Sequence, residues 1–117
     1  MKNVRWGSLL VMLCTLAGLA LLSTDANAQK TKGKTRPALT KYLMKGLVNP
    51  NCGALKKDLE AEKPNWEDIE LHAALLNEAG HILMDDGRCP DGDWAKAAKA
   101  LQTQSAAVLA AAEKKEI

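Results

Sequence analysis

From residue 37 onward, apolar side chains recur every three or four positions, and no segment alternates apolar and polar residues over a useful length. The clearest case begins at Asn65, a good N-cap that is followed by acidic residues in the first turn, and it ends at Gly87. Helical spacing without strand spacing predicts an all-α chain. The apolar stripe of this segment comprises Trp66, Ile69, Ala73, Leu76, Ala79 or Gly80, and Leu83.

Two other segments carry the same periodicity. Asp91 or Asp93 caps the last one, whose stripe comprises Trp94, Ala97, Leu101, Ser105, Val108 and Ala112. Pro37 suits the start of the first, and there the stripe comprises Leu39, Tyr42, Leu43 and Leu47. The sequence "NPN" (49–51) with Gly53 predicts a break, and a short helical stretch then carries Leu55 and Leu59 as far as Pro64. We therefore expect an antiparallel bundle of three main helices, the first of them broken.

The first 28 residues have the pattern of a secretory signal peptide. Lys2 and Arg5 precede an apolar run over 9–22, and Ala26 and Ala28 form a small-residue cleavage pattern. The run is shorter than the ~20 residues that span a bilayer comfortably. We expect cleavage between Ala28 and Gln29 and a periplasmic or secreted protein; the alternative is an uncleaved N-terminal anchor.

The remaining 89 residues form one domain with a modest core. The leader removes two of 16 basic residues and one of 14 acidic residues, which leaves a net charge of +1. A near-neutral chain gives no global reason to expect a nucleic acid or a membrane as partner. Residues 29–36, "QKTKGKTR", are basic and lack apolar side chains, so we expect a disordered basic arm in front of a helical domain over 37–117.

Cys52 and Cys89 are the cysteines that remain after cleavage. Both fall at expected breaks between helices, and an exported compartment is oxidising, so a Cys52–Cys89 disulfide is the first hypothesis. Two free thiols or a bridge between chains are the alternatives. Four aspartates around Cys89 oppose a reactive thiolate, because they disfavour its negative charge.

No residues form a recognisable catalytic or metal-binding pattern, so we expect no enzyme and no metal site. A zinc site needs about four ligands with at least one close pair, and the two cysteines are 37 positions apart. His72 and His81 are nine positions apart on one helix and lie half a turn out of phase, so they cannot share a metal. Surface pairing with Asp68 and Asp85 is the simpler interpretation of the two histidines.

The order of these features resembles the small exported cytochromes of the c-prime and b562 four-helix-bundle family, above all the planctomycete-type small cytochromes c. In that family a proline–x–glycine turn followed by tryptophan starts the third helix, and "CPDGDW" matches it at Pro90, Gly92 and Trp94. The sequence "KPNW" (63–66) resembles the start of the family's second helix. The resemblance extends over 39–115, three of four helices, and it implies a haem electron-transfer protein with a redox partner.

The family's fourth helix carries C-x-x-C-H, whereas this chain reaches Ile117 without that motif. We therefore expect any haem to be bound non-covalently or with a fourth helix from another chain. The resemblance makes Met44 a candidate haem ligand. An incomplete bundle is expected to expose an apolar seam that a second copy, a helical protein partner or haem would cover, unless the three helices close on themselves. The alternative function is a haem-less structural or interaction module of the periplasm.

Overall fold

The computed structural model describes residues 30–116. The predicted signal peptide (1–28) and the cleavage site between Ala28 and Gln29 lie outside the described residues. The elements within them are α1 (Thr40–Leu43), a π-helical turn (Met44–Val48), α2 (Asn49–Glu60), α3 (Trp66–Ile82) and α4 (Gly92–Glu113). The first three are continuous, and we call residues 40–60 the first rod. The first rod packs against α3 and α3 packs against α4, so the prediction of an all-α bundle of three main helices is confirmed.

The N-caps predicted for α3 and α4 are confirmed. Asn65 accepts a hydrogen bond from the Asp68 N–H and begins α3. The Asp91 carboxylate accepts from the Trp94 N–H at 2.8 Å and begins α4. Each cap satisfies a backbone donor that has no partner within its helix.

The predicted apolar stripes of α3 and α4 form the core. Trp94 has no exposed surface, and its indole Nε1 donates to the Leu83 carbonyl at 2.8 Å. Gly80 lets α3 approach α4 closely, because a Cβ at this position would lie 3.1 Å from the Ala98 carbonyl oxygen. The buried apolar residues are Met44, Val48, Leu55, Ile69, Ala73, Leu76, Ala79, Leu83, Trp94, Ala97, Ala98, Leu101, Val108 and Ala112.

The first rod differs from the expected broken helix. Pro50 has no N–H to donate within a helix, and its ring crowds the carbonyl four residues earlier. The chain passes this point through the π-helical turn, in which the Asn49 N–H donates to the Met44 carbonyl. The helix then continues to Glu60 without stopping at 49–51 or at Gly53.

Continuity also changes which side of the first rod is buried. Thr40, Met44, Val48, Asn51 and Leu55 face the interior. The expected stripe of Leu39, Tyr42, Leu43 and Leu47 lies beside them, with the leucines half-buried and Tyr42 58% exposed. The inner face is therefore displaced by one residue from the face that the leucines indicate.

The arm expected to be disordered has a defined path over its residues 30–36. The Thr31 carbonyl accepts from the Thr40 N–H at 2.9 Å, and Lys32 forms an isolated β-bridge with Leu39. Farther along, the Lys34 N–H donates to the Asp86 carbonyl at 2.8 Å. The arm thus lies on the turn between α3 and α4, at the end of the bundle where the first rod begins.

No helix within residues 30–116 has the length and apolar character needed to cross a membrane.

Candidate functional site

Met44, the candidate haem ligand, lies in the π-helical turn and is 1% exposed. Its side chain belongs to the same core cluster as Trp94 and Leu76. A thioether can ligate iron only where the iron reaches it, and here the space around Met44 is packed with the chain's own side chains. The position beside "KG" therefore contributes to the core in this chain.

The hypothesis of a Cys52–Cys89 disulfide fails in this structure, because no disulfide joins the two residues. The physical reason is the continuous first rod. Cys52 lies 12 residues after Thr40, roughly 18 Å along the helix axis from the end where Cys89 is found. A disulfide requires Cα atoms within about 7 Å of each other. The Cys89 thiol instead donates to the Asp91 carbonyl at 3.4 Å, in the turn that leads into α4.

Three polar side chains meet between the first rod and α3, and we call Asn51, Asp58 and His72 the interhelical polar cluster. Asn51 is only 8% exposed, and its Nδ2 donates to the Leu47 carbonyl at 2.7 Å. Its Oδ1 lies 2.9 Å from His72 Nδ1. On the other side of the imidazole, Nε2 lies 3.6 Å from Asp58 Oδ2. The His72 ring thus lies between an amide and a carboxylate of the first rod.

Among residues 30–116 the structure shows neither of the predicted side-chain pairs, His72 with Asp68 or His81 with Asp85. His72 turns toward the first rod, and Asp68, its expected helical partner, accepts a hydrogen bond from Asn65 Nδ2 at 2.8 Å. His81 is exposed, and its carbonyl accepts from the Asp85 N–H as the helix ends. Of the two histidines, His72 is therefore the one with a structured polar environment.

Asp86 fixes the arm to the turn, and we call this contact the arm latch. Its φ is +60°, a left-handed conformation that aspartate tolerates better than most residues. Its carboxylate accepts from the Thr35 N–H, from the Thr35 hydroxyl at 2.8 Å and from the Arg36 N–H at 2.8 Å. Desolvation raises the pKa of the Asp86 carboxyl, but the hydrogen bonds from Arg36 and Thr35 and the charge of Arg36 outweigh it, so the pKa lies below its ordinary value.

The Arg88 side chain also binds the backbone beside the arm latch. The side chain is 2% exposed, and its guanidinium donates to the Ala38 carbonyl at 2.5 Å and to the Arg36 carbonyl at 3.4 Å. Gly33 packs between the Asp86 carboxylate and this guanidinium, where a Cβ has no room. The arm backbone is therefore held from both sides.

The ordered arm places several basic side chains together. Because Thr31 is hydrogen-bonded to Thr40 and Lys32 pairs with Leu39, the backbone of Lys30 and Lys32 lies at the start of the first rod, close to that of Lys41. The Lys41 ammonium lies 5.2 Å from the centre of the Tyr42 ring, within cation–π range. We call the exposed set Lys30, Lys32, Lys41, Tyr42 and Lys45 the basic face.

The charge of the chain is separated along its length. Residues 30–57 contain eight basic side chains and no acidic one, whereas residues 58–93 contain 11 acidic and two basic side chains. The near-zero net charge conceals this separation. Within the described range, 30–116, no three His, Cys, Asp or Glu side chains gather into a metal-binding group.

Comparison with known proteins finds no match: no family model, no curated protein and no solved structure matches this chain. The resemblance to haem bundles therefore stays a prediction from "CPDGDW", "KPNW" and the helix order.

Sequence reasoning missed the interhelical polar cluster and the arm latch. If the sequence around Pro50 had been interpreted as a π-helical turn, Asn51 and Asp58 would have been predicted on the face toward α3. The proline was therefore a sequence signal for the cluster. The arm offered a weaker signal, because a lone Asp-Gly pair at 86–87 does not specify which segment donates to it.

Proposed function

We propose that this protein is a small, haem-less interaction module of the periplasm or cell exterior that docks an acidic protein through its basic face. The observation that carries the proposal is the run of eight basic residues without an acidic one over 30–57, presented in part on an ordered arm. Positive charge gathered on one surface attracts an acidic surface and accelerates association.

The arm latch supports docking by fixing the basic side chains in advance. A disordered arm would lose conformational freedom on binding, at a cost in affinity. Here Thr31 is already paired with Thr40, and the carboxylate of Asp86 already holds Thr35 and Arg36. Binding therefore needs to order only the lysine side chains.

Tyr42 gives the basic face an aromatic contact. It is 58% exposed and is one of two large apolar side chains, with Leu71, that are exposed among residues 30–116. Tyrosine is enriched among residues that dominate binding energy, because it combines apolar area with a polar tip. Lys41 above its ring adds charge to the same contact.

The haem carrier is the second candidate function and rests on the sequence resemblance alone. Burial of Met44 in a filled core favours the haem-less module over it. A visible absorption spectrum of protein from a haem-replete host tests the carrier: a Soret band that survives gel filtration would support it. Sedimentation of the protein in the same buffer tests the related expectation that a second copy or a helical protein partner covers an exposed apolar seam.

The docking proposal is tested with a labelled polyglutamate peptide as an acidic probe. We expect the wild-type protein to bind it at low ionic strength and to lose affinity as salt is added, because the contact is between exposed charges. The double variant Lys41→Glu/Lys45→Glu should abolish binding. The matched control is Lys96→Glu/Lys99→Glu, which makes the same change in net charge at exposed positions of another helix, α4.

Equal loss of binding in both double variants would show that net charge alone matters, and it would contradict the proposal. So would binding to anionic lipid vesicles or to duplex DNA without binding to polyglutamate. Circular dichroism of each variant separates a binding defect from misfolding.

A further inference from the structure

The orientation of His72 follows from the backbone of the first rod. Asn51 Nδ2 lies 2.7 Å from the Leu47 carbonyl oxygen, so the amide nitrogen must point there, because a flipped amide would place two acceptors together. The amide oxygen Oδ1 then faces His72 Nδ1 at 2.9 Å. An amide oxygen only accepts, so Nδ1 carries the proton and donates. In neutral imidazole the other nitrogen, Nε2, is therefore left with its lone pair.

A carboxylate oxygen lies near that nitrogen. Asp58 Oδ2 lies 3.6 Å from Nε2, it is buried, and it accepts no hydrogen bond in the described structure. Two electron-pair donors that face each other in a partly buried space repel, unless a positive species lies between them. The species that fit are a proton on Nε2 or a metal cation shared by both atoms.

The separation suits a transition metal. Zinc binds histidine nitrogen at about 2.0–2.1 Å and carboxylate oxygen at about 2.0–2.2 Å. With those bond lengths, a donor separation of 3.6 Å subtends roughly 120° at the metal, near the tetrahedral angle. The side chains of His72 and Asp58 are 22% and 23% exposed, so the site lies close to the protein surface, although Oδ2 itself is buried.

We propose that His72 Nε2 and Asp58 Oδ2 form a two-ligand site for a divalent first-row metal of the zinc class. Asn51 is the positioning residue, because its amide holds the imidazole in the tautomer that presents Nε2 to the metal. A hydrogen bond from the second ring nitrogen to an oxygen acceptor is the usual support for a metal-bound histidine. Imidazole with carboxylate favours zinc, copper or nickel over calcium or magnesium.

The test is titration of the folded protein with Zn²⁺, followed by calorimetry and by the ¹⁵N shifts of the imidazole nitrogens. We expect one saturable site and a selective change at His72 Nε2. His72→Gln and Asp58→Asn should each abolish the site, whereas His81→Gln, at the exposed histidine of the same helix, should leave it intact. Asn51→Ala should weaken binding roughly 10- to 100-fold without removing a ligand.

The thiols need a control because zinc also binds cysteine. Cys52→Ser and Cys89→Ser variants should keep the site if the two named ligands hold the metal. Zinc binding that survives both His72→Gln and Asp58→Asn would overturn the proposal, and so would loss in His81→Gln. Protonation of Nε2 on acidification, with no Zn²⁺ effect at any pH at which the protein is folded, would identify the positive species as a proton alone and would also overturn it.

The docking variants at Lys41 and Lys45 leave these atoms untouched, so failure of one proposal does not decide the other.

Discussion

Gly80 allows the close approach of α3 and α4, and its replacement by alanine should destabilise the fold. The new Cβ would lie 2.7 Å from Gln102 Cγ and 3.1 Å from both the Ala98 carbonyl oxygen and the Gln102 backbone nitrogen. The side chain could rotate away, but the two α4 backbone atoms cannot move without the helix. Gln102 would also lose its hydrogen bond to the Gly80 carbonyl, which now measures 3.0 Å.

The magnitude follows from three opposing effects. Overpacking a tight contact costs about 1–3 kcal/mol. Loss of the Gln102 hydrogen bond costs about 1 kcal/mol. Replacement of glycine by alanine inside a helix gains about 1 kcal/mol. Packing should therefore win, and we expect Gly80→Ala to lower the free energy of unfolding by about 1–3 kcal/mol.

Gly53→Ala is the matched control, because Gly53 is also in a helix but is exposed, with no atom within 4 Å of the added Cβ. There the helix-propensity gain of about 1 kcal/mol stands alone. Urea unfolding followed by tryptophan fluorescence measures both variants. If Gly80→Ala proved as stable as Gly53→Ala, the close approach of α3 and α4 at Gly80 would be refuted.

Two further changes test the core and the arm latch. Trp94→Phe removes the indole donor and leaves the Leu83 carbonyl without that partner, so we expect a loss of about 1–3 kcal/mol in urea unfolding; an unchanged midpoint would contradict the importance of this bond. Asp86→Asn removes the charge that holds Thr35 and Arg36, so hydrogen exchange at these two amides should accelerate while core amides keep their protection. Because the folded pKa of Asp86 is lowered, its contribution is fully present above the ordinary aspartate pKa and is lost as the pH falls through the lowered value. Acidification should thus release the arm of the wild-type protein, and in Asp86→Asn this pH dependence should vanish; an arm that exchanges equally in both proteins at neutral pH would refute the latch.

The parts of the fold that sequence predicts well are those where local signals agree. In α3 and α4 the cap and the periodicity point to the same helix, and Asn65 and Asp91 cap them as expected, although α3 ends at Ile82 and not at Gly87. The predicted stripes are buried there almost without exception, down to Ser105, whose hydroxyl donates to the Leu101 carbonyl at 2.5 Å. Helices can be predicted from the sequence where local preferences and long-range packing favour the same structure.

The arm could not be predicted from its own composition. Residues 29–36 have no apolar side chain to bury, and composition of this kind is typical of disorder. Its order comes from a carboxylate some 50 positions away, on a backbone whose φ of +60° turns it toward the arm. Long-range polar contacts with a single residue leave no periodic trace in the sequence.

The remaining differences between the prediction and the structure lie around Pro50, where a break in the first helix was expected. A break at 49–51 would have put Cys52 at the end of a helix, near the turn that contains Cys89, and would have made a disulfide reasonable. A π-helical turn instead keeps the rod continuous and carries Cys52 far from that end. Within this continuous rod the Asn51 side chain donates to the Leu47 carbonyl, and its amide oxygen lies 2.9 Å from His72 Nδ1. The continuous rod therefore argues against the covalent link that the sequence suggested, and it places Asn51 where its amide meets His72.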